Sequence, residues 1–146
     1  MVNLSKLSES LKELMVEHNL NQVTLAEKLC TGRTKFSDIL NGKNAPNYKT
    51  LVKLIVYFNC SADFLLGIKD YPDEDVSYNA VAPFNERMRE MFKIAGVSQY
   101  SFVKHTGISW SILYNWLNGS TLPSVDNLIK VANYFACSVD YLLGRV

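Results

Sequence analysis

The residues able to do covalent or metal chemistry are sparse and badly spaced for it. The three cysteines, Cys30, Cys60 and Cys137, form no CxxC pair, so neither a zinc site nor a disulfide framework is expected. Cys60 and Cys137 sit at apolar positions just before a helix start and read as small core residues. His18 and His105 are far apart in sequence. The acids show no paired-carboxylate spacing, and no glycine-rich phosphate loop is present. No catalytic residue, metal or cofactor is therefore expected. What remains is recognition by hydrogen bonds, charges and apolar contact.

Composition limits the setting in which that recognition happens. The chain has 146 residues, 15 basic against 14 acidic, and a net charge of +1. This is the make-up of an ordinary globular protein. No apolar run approaches the ~18–20 residues of a membrane helix, and the N-terminus lacks the apolar core of a signal peptide. A cytoplasmic protein away from membranes is expected. Near-neutral charge, taken alone, argues against nucleic acid.

The chain, however, is internally repetitive. LNGKNAPNYKTLVKLIVYFNCSADFLLG, from Leu40 to Gly67, matches LNGSTLPSVDNLIKVANYFACSVDYLLG, from Leu117 to Gly144, at an offset of 77 residues. The offset holds without a gap back to Leu7 and Phe84. Two copies of one unit follow, at 1–67 and 84–146, joined by a linker at 68–83. The first copy holds eight basic and six acidic residues, the linker one and four, and the second copy six and four. Each unit is mildly basic, and the acidic linker conceals this in the total.

Apolar spacing predicts helices over 4–16, 22–29, 33–40 and 48–58, with a short fifth helix after Ser61. Asn47 and Ser61 read as N-caps, as do Ser98, Ser109, Ser124 and Ser138 in the second copy. Asp63 falls in a first turn, where the helix dipole favours an anion. The fold class expected is all-α, with two tandem five-helix units. In each, two helices of about eight residues are joined by a three-residue turn, the helix-turn-helix arrangement. Its tight crossing suits a small residue such as Ala26, for which Val103 is a larger substitute. The turn favours a left-handed glycine, which Gly107 supplies and Cys30 does not.

Both copies resemble the lambda-repressor-like (Cro-type, XRE) helix-turn-helix family. The carrying residues are NQ at 21–22 and SQ at 98–99, LAEKL at 25–29, TGIS at 106–109, the NG of each copy, Pro46 and Pro123, and the endings CSADFLLG and CSVDYLLG. One departure is Leu40 and Leu117, where the family often has Glu. The resemblance implies a third helix lying in the DNA major groove. Gln22 and Gln99 would then contact phosphate at a helix start. In the first copy Arg33, Thr34, Ser37 and Asp38 would face the bases. Lys35, Asn41, Lys43 and Asn44 would reach the backbone. Arg33 suits guanine, whereas Asp38 either accepts from cytosine or pairs with Arg33 or Lys35.

The second copy differs, with no charge from Ser109 to Val125. Its groove-facing set would be Ser109, Trp110, Ser111, Tyr114, Asn115 and Asn118. Leu113 and Trp116 match Phe36 and Ile39 and read as core. Trp110, Ile112 and Tyr114 are left over, for peripheral packing, thymine methyl groups or a protein interface. In each Tyr57-Phe58 and Tyr134-Phe135 pair, one member reads as core and the other as a candidate dimer face. The resulting expectation is a sequence-specific, DNA-binding transcriptional regulator of repressor type, with double-stranded DNA as partner and a homodimer open. The alternative is a protein-interaction module, antitoxin-like or dimerising, in which only the first copy binds DNA.

Overall fold

Each predicted N-cap does its local work, and Asn3 and Asn21, not expected as caps, join them. Side-chain oxygens of Asn21 and Asn47 each accept the backbone N–H three residues on at 2.8 Å. Ser61, Ser98, Ser109, Ser124 and Ser138 do the same at 3.0–3.3 Å, and Asn3 at 3.1 Å. A cap of this kind contributes about 1 kcal/mol by satisfying an amide that the helix leaves open.

The computed structural model describes residues 2–146. Its elements are α1 (Leu4–Glu17), α2 (Gln22–Lys28), α3 (Arg33–Leu40), α4 (Tyr48–Tyr57), α5 (Ala62–Leu65), α6 (Phe84–Ala95), α7 (Gln99–Thr106), α8 (Trp110–Leu117), α9 (Val125–Tyr134) and α10 (Val139–Leu142). Among the described residues there is no strand, so the all-α expectation holds. The chain divides into two compact units, Val2–Val76 and Ser77–Val146, with five helices in each.

In the first unit α1 packs on α3 and α5, and α2 crosses α3. Leu7, Leu11, Leu25, Phe36, Leu51, Leu54 and Ile55 are wholly buried there. Tyr48 joins them, and burial pushes its phenol up to about 12. In the second unit α6 packs on α8, and α7 on α9. Phe84 meets Trp116 edge to face, and Phe92, Phe102, Tyr134 and Phe135 form one ring cluster. The aromatic pairs therefore behave unequally. Phe58 is buried beside exposed Tyr57, whereas Tyr134 and Phe135 are both only half-buried. Cys60 is buried, but Cys137 is half-buried rather than core.

The repeat extends to backbone conformation. Left-handed residues occur at Asn19 and Gly96, Cys30 and Gly107, Gly42 and Gly119, Asn59 and Ala136, and Gly67 and Gly144. Each pair lies at the repeat offset of 77. The turn between α2 and α3 thus keeps its left-handed residue without a glycine: Cys30 adopts φ 52°, against 73° for Gly107. The mismatch expected from sequence is absorbed as strain, because a Cβ in this region costs roughly 1–2 kcal/mol. Cys30→Gly should therefore stabilise the first unit by about 0.5–1 kcal/mol, after the entropy glycine adds to the unfolded chain. An unchanged or lower urea midpoint, followed by far-ultraviolet circular dichroism, would contradict this.

The segment expected as a solvated linker is not uniform. The Asn79 N–H donates to the Arg145 carbonyl at 2.8 Å, and the Ala82 N–H to that of Leu143 at 3.1 Å. The Tyr78 ring lies 4.1 Å from the Arg145 guanidinium. Gly144 makes the approach possible, since a Cβ there would stand 3.2 Å from that of Ala82. Residues 78–82 are thus a strap on the second unit. Residues 68–75 are mostly exposed.

Candidate nucleic-acid interface

Helix α3 presents one face to the core and one to solvent. Phe36, Ile39 and Leu40 point inward. Arg33, Thr34 and Lys35 are exposed on its first turn, and Ser37 and Asp38 are half-buried one turn on. Its N-cap, Gly32, offers no side-chain bond, so the first-turn amides stay open to an anion. Gln22 is exposed at the start of α2, and Asn41, Lys43 and Asn44 are exposed beyond the end of α3. The Asn41 amide donates to the Ser37 hydroxyl at 3.3 Å. The Lys43 and Asn44 amides both donate to the Asp38 carbonyl, at 2.9 and 3.3 Å.

Arg33 lies 3.7 Å from Glu27, and both side chains are largely exposed. Such a pair is weak and readily exchanged for another partner. Asp38 is not paired with Arg33 or Lys35. Among the described residues its carboxylate forms no ion pair.

The second unit repeats the scaffold with other side chains. Gln99 is exposed at the start of α7. Ser109 is committed to capping α8. Ser111 and Asn118 are exposed and Asn115 is half-buried. The Asn118 carboxamide oxygen accepts the Ser120 N–H at 2.9 Å. Leu113 and Trp116 are core, as expected. Trp110, Ile112 and Tyr114 are 50%, 40% and 67% exposed. Packing thus covers Trp110 and Ile112 only in part and Tyr114 least, and an uncharged, largely aromatic face is left open.

Sequence reasoning overlooked the basic groups beside that face. An open groove of about 460 Å³ is lined by Arg89, Phe92 and Lys93 of α6 together with Gln99, Tyr114 and Asn118. Arg89 donates to the Leu117 carbonyl at the end of α8, at 2.7 Å. Lys93 is exposed. Among the described residues neither forms an ion pair. Arg89, Phe92 and Lys93 share one helix face by their i, i+3, i+4 spacing. That spacing was the signal available in the sequence, but it gains meaning only when α6 is known to lie against α8.

Arg87 was also overlooked. Its side chain is mostly buried and donates to the Tyr141 and Leu142 carbonyls at 2.5 and 3.1 Å. It also bonds Glu90 at 2.6 Å. The repeat-equivalent Ser10 hydroxyl donates to the Phe64 carbonyl, which is equivalent to that of Tyr141, at 3.4 Å. The end of α3 is held the same way, since Ser8 donates to the Leu40 carbonyl. Different side chains thus hold the same backbone points in the two units.

Among the described residues no group of three His, Cys, Asp or Glu side chains could hold a metal. No described helix is long and apolar enough to cross a membrane.

Comparison with known proteins agrees with this geometry. Residues 11–65 match a helix-turn-helix family model, and residues 85–146 match a second model, described as a helix-turn-helix domain. The chain is 30% identical over 82 residues to the ImmF control region 10 kDa protein of Bacillus phage phi105, covering 91% of that protein and 56% of this one. No solved structure matches it significantly. Helix-turn-helix families are typically non-enzymatic. With two such domains in tandem, the chain belongs to the helix-turn-helix family of lambda-repressor-like (XRE) type and is a DNA-binding transcriptional regulator.

Proposed function

We propose that the chain is a sequence-specific repressor that reads duplex DNA with the exposed faces of α3 and α8. The observation that carries this is the first turn of α3, where Arg33, Thr34 and Lys35 stand exposed on a helix anchored from behind by Phe36 and Ile39. In this reading Arg33 takes guanine, with Thr34, Ser37 and Asp38 on neighbouring base edges. Gln22, Lys35, Asn41, Lys43 and Asn44 hold the backbone. Gln99 does so in the second unit, where Ser109, Trp110, Ser111, Tyr114, Asn115 and Asn118 face the groove.

The chemistry of the two faces is unlike, so the target is an asymmetric site whose halves differ. The phage relative, named for a control region, supports a regulatory role of this kind. The protein acts in the cytoplasm, on DNA, without a cofactor or catalytic step. A second reading is favoured by exposed Trp110, Ile112 and Tyr114: the second unit binds a protein, or a second copy, through α8.

Selection of bound fragments from genomic DNA would give the site. On that site Arg33→Ala should weaken binding about 5–150-fold, the ~1–3 kcal/mol of a bidentate guanine contact. Affinity should also fall steeply with salt, by about 0.9 in log–log slope per phosphate contact. A flat salt response, or full affinity of Arg33→Ala, would count against DNA reading by α3 and favour the interaction module.

A further inference from the structure

We infer that Arg89 and Lys93, on the first helix of the second unit, form a phosphate-binding clamp that makes this unit a working DNA head despite its uncharged α8. The inference rests on the DNA-binding reading above and deepens it for the unit where the case is weaker.

In the first unit the third helix carries the cations Arg33 and Lys35, and its loop carries Lys43. The corresponding residues of the second unit are Trp110, Ile112 and Ser120. On the first helix the pattern is reversed at one position. Lys93 stands where the first unit has Val16, which is 76% exposed, and Arg89 stands where it has Lys12. The positive charge lost from the third helix is thus partly restored one helix away.

The groove brings these groups to one place. Arg89 and Lys93 line one wall, while Gln99, Tyr114 and Asn118 supply hydrogen-bonding groups around it. The bond from Arg89 to the Leu117 carbonyl sets the guanidinium at the end of α8, and its remaining N–H groups can still donate. Lys93 is one turn further along the same face of α6. Two cations without acidic partners, above an apolar floor of Phe92 and Leu117, complement a polyanion. Duplex DNA carries one charge per about 1.7 Å of axis and so can present phosphates to both. Charge favours the sugar-phosphate backbone over a neutral protein surface as the occupant. Trp110 and Tyr114 are then left for the groove itself, where base edges and thymine methyl groups suit uncharged side chains.

The test uses the full chain and a random-sequence duplex of about 30 base pairs, with affinity measured by fluorescence anisotropy between about 50 and 200 mM salt. Lys93→Ala should lower the log–log salt slope by about 0.9, and Arg89→Ala with Lys93→Ala by about 1.8. Lys93 is exposed, so its removal should leave tryptophan fluorescence unchanged. Arg89→Lys keeps the charge and should keep the slope, which separates phosphate contact from the structural bond to Leu117. Lys130→Ala, outside the groove, serves as charge control and should change the slope much less. An unchanged slope in the double variant, or an equal loss with Lys130→Ala, overturns the clamp. A wild-type chain with no salt-dependent binding overturns the DNA reading itself. A steep wild-type slope that falls in Lys43→Ala but not in Lys93→Ala overturns only the clamp.

Discussion

Arg145→Ala is expected to destabilise the second unit by about 3–5 kcal/mol, the usual consequence of removing one member of a buried ion pair. Arg145 and Asp140 are 2.7 Å apart, with side chains only 2% and 5% exposed. The truncation would leave the Asp140 carboxylate in a low-dielectric site without its cation. It would also uncover the Tyr78 ring, which lies against the guanidinium, and so loosen the strap. A unit of this size has a stability of the same order as the loss, so much of it would unfold. Trp110 and Trp116, the two tryptophans of the chain, both lie in this unit. Urea unfolding followed by tryptophan fluorescence therefore reports on the second unit alone. A loss below about 1 kcal/mol would mean that Asp140 is not left as an uncompensated buried charge and would overturn this expectation. In the first unit the residue matching Arg145 is Ile68, which is half-exposed. Ile68→Ala should be close to neutral and serves as the internal comparison.

Phe36→Ala should cost the first unit about 3–5 kcal/mol, as for other fully buried phenylalanines. Phe36 has no exposed surface and lies midway along the eight-residue α3. An isolated helix of that length is not stable in water, so α3 persists because Phe36, Ile39 and Leu40 hold it against α1 and α2. The cavity would therefore release the very helix that presents Arg33 and Lys35. The expected result is partial loss of helical circular dichroism together with loss of high-affinity DNA binding. Tryptophan fluorescence should be unchanged, because no tryptophan lies in this unit. Retention of both stability and affinity would show that α3 is held by something other than its apolar face.

The contrast between these two residues explains what the sequence makes legible. Phe36 follows from helical periodicity, and its repeat partner Leu113 doubles the signal. Caps are legible for the same reason, since Asn47 or Ser109 bonds an amide three residues away. Arg145 and Arg87 are not legible in this way. Arg87 reaches carbonyls 54 and 55 residues on, and nothing local marks an arginine that will be buried. The same applies to Arg89 and Lys93, which gain a role only through the packing of α6 against α8. Cys30 shows the opposite limit. Sequence preference points to the left-handed turn, but the helix-end hydrogen bonds from the Cys30 and Thr31 N–H groups to the Glu27 and Ala26 carbonyls form there around an exposed residue that the preference disfavours. The residues of α3 and α8 proposed to face the bases come from family resemblance, and the structure adds which of them are exposed or already engaged.

The strap at 78–82 alters where the chain can vary. Insertion or deletion there would disturb hydrogen bonds to Leu143 and Arg145 and so the fold of the second unit. The Ile68 and Lys69 N–H groups still donate to the Asp63 carbonyl of the first unit, at 2.8 and 3.1 Å, whereas residues 70–76 carry no comparable backbone commitment. Seven residues extend to at most about 25 Å, where sixteen would extend to about 50 Å. Length changes between 70 and 76 would thus alter the distance the two units can span while leaving both folds intact. Descendants of such a chain could adapt to targets with different separations through this short stretch alone, keeping each reading surface as it is.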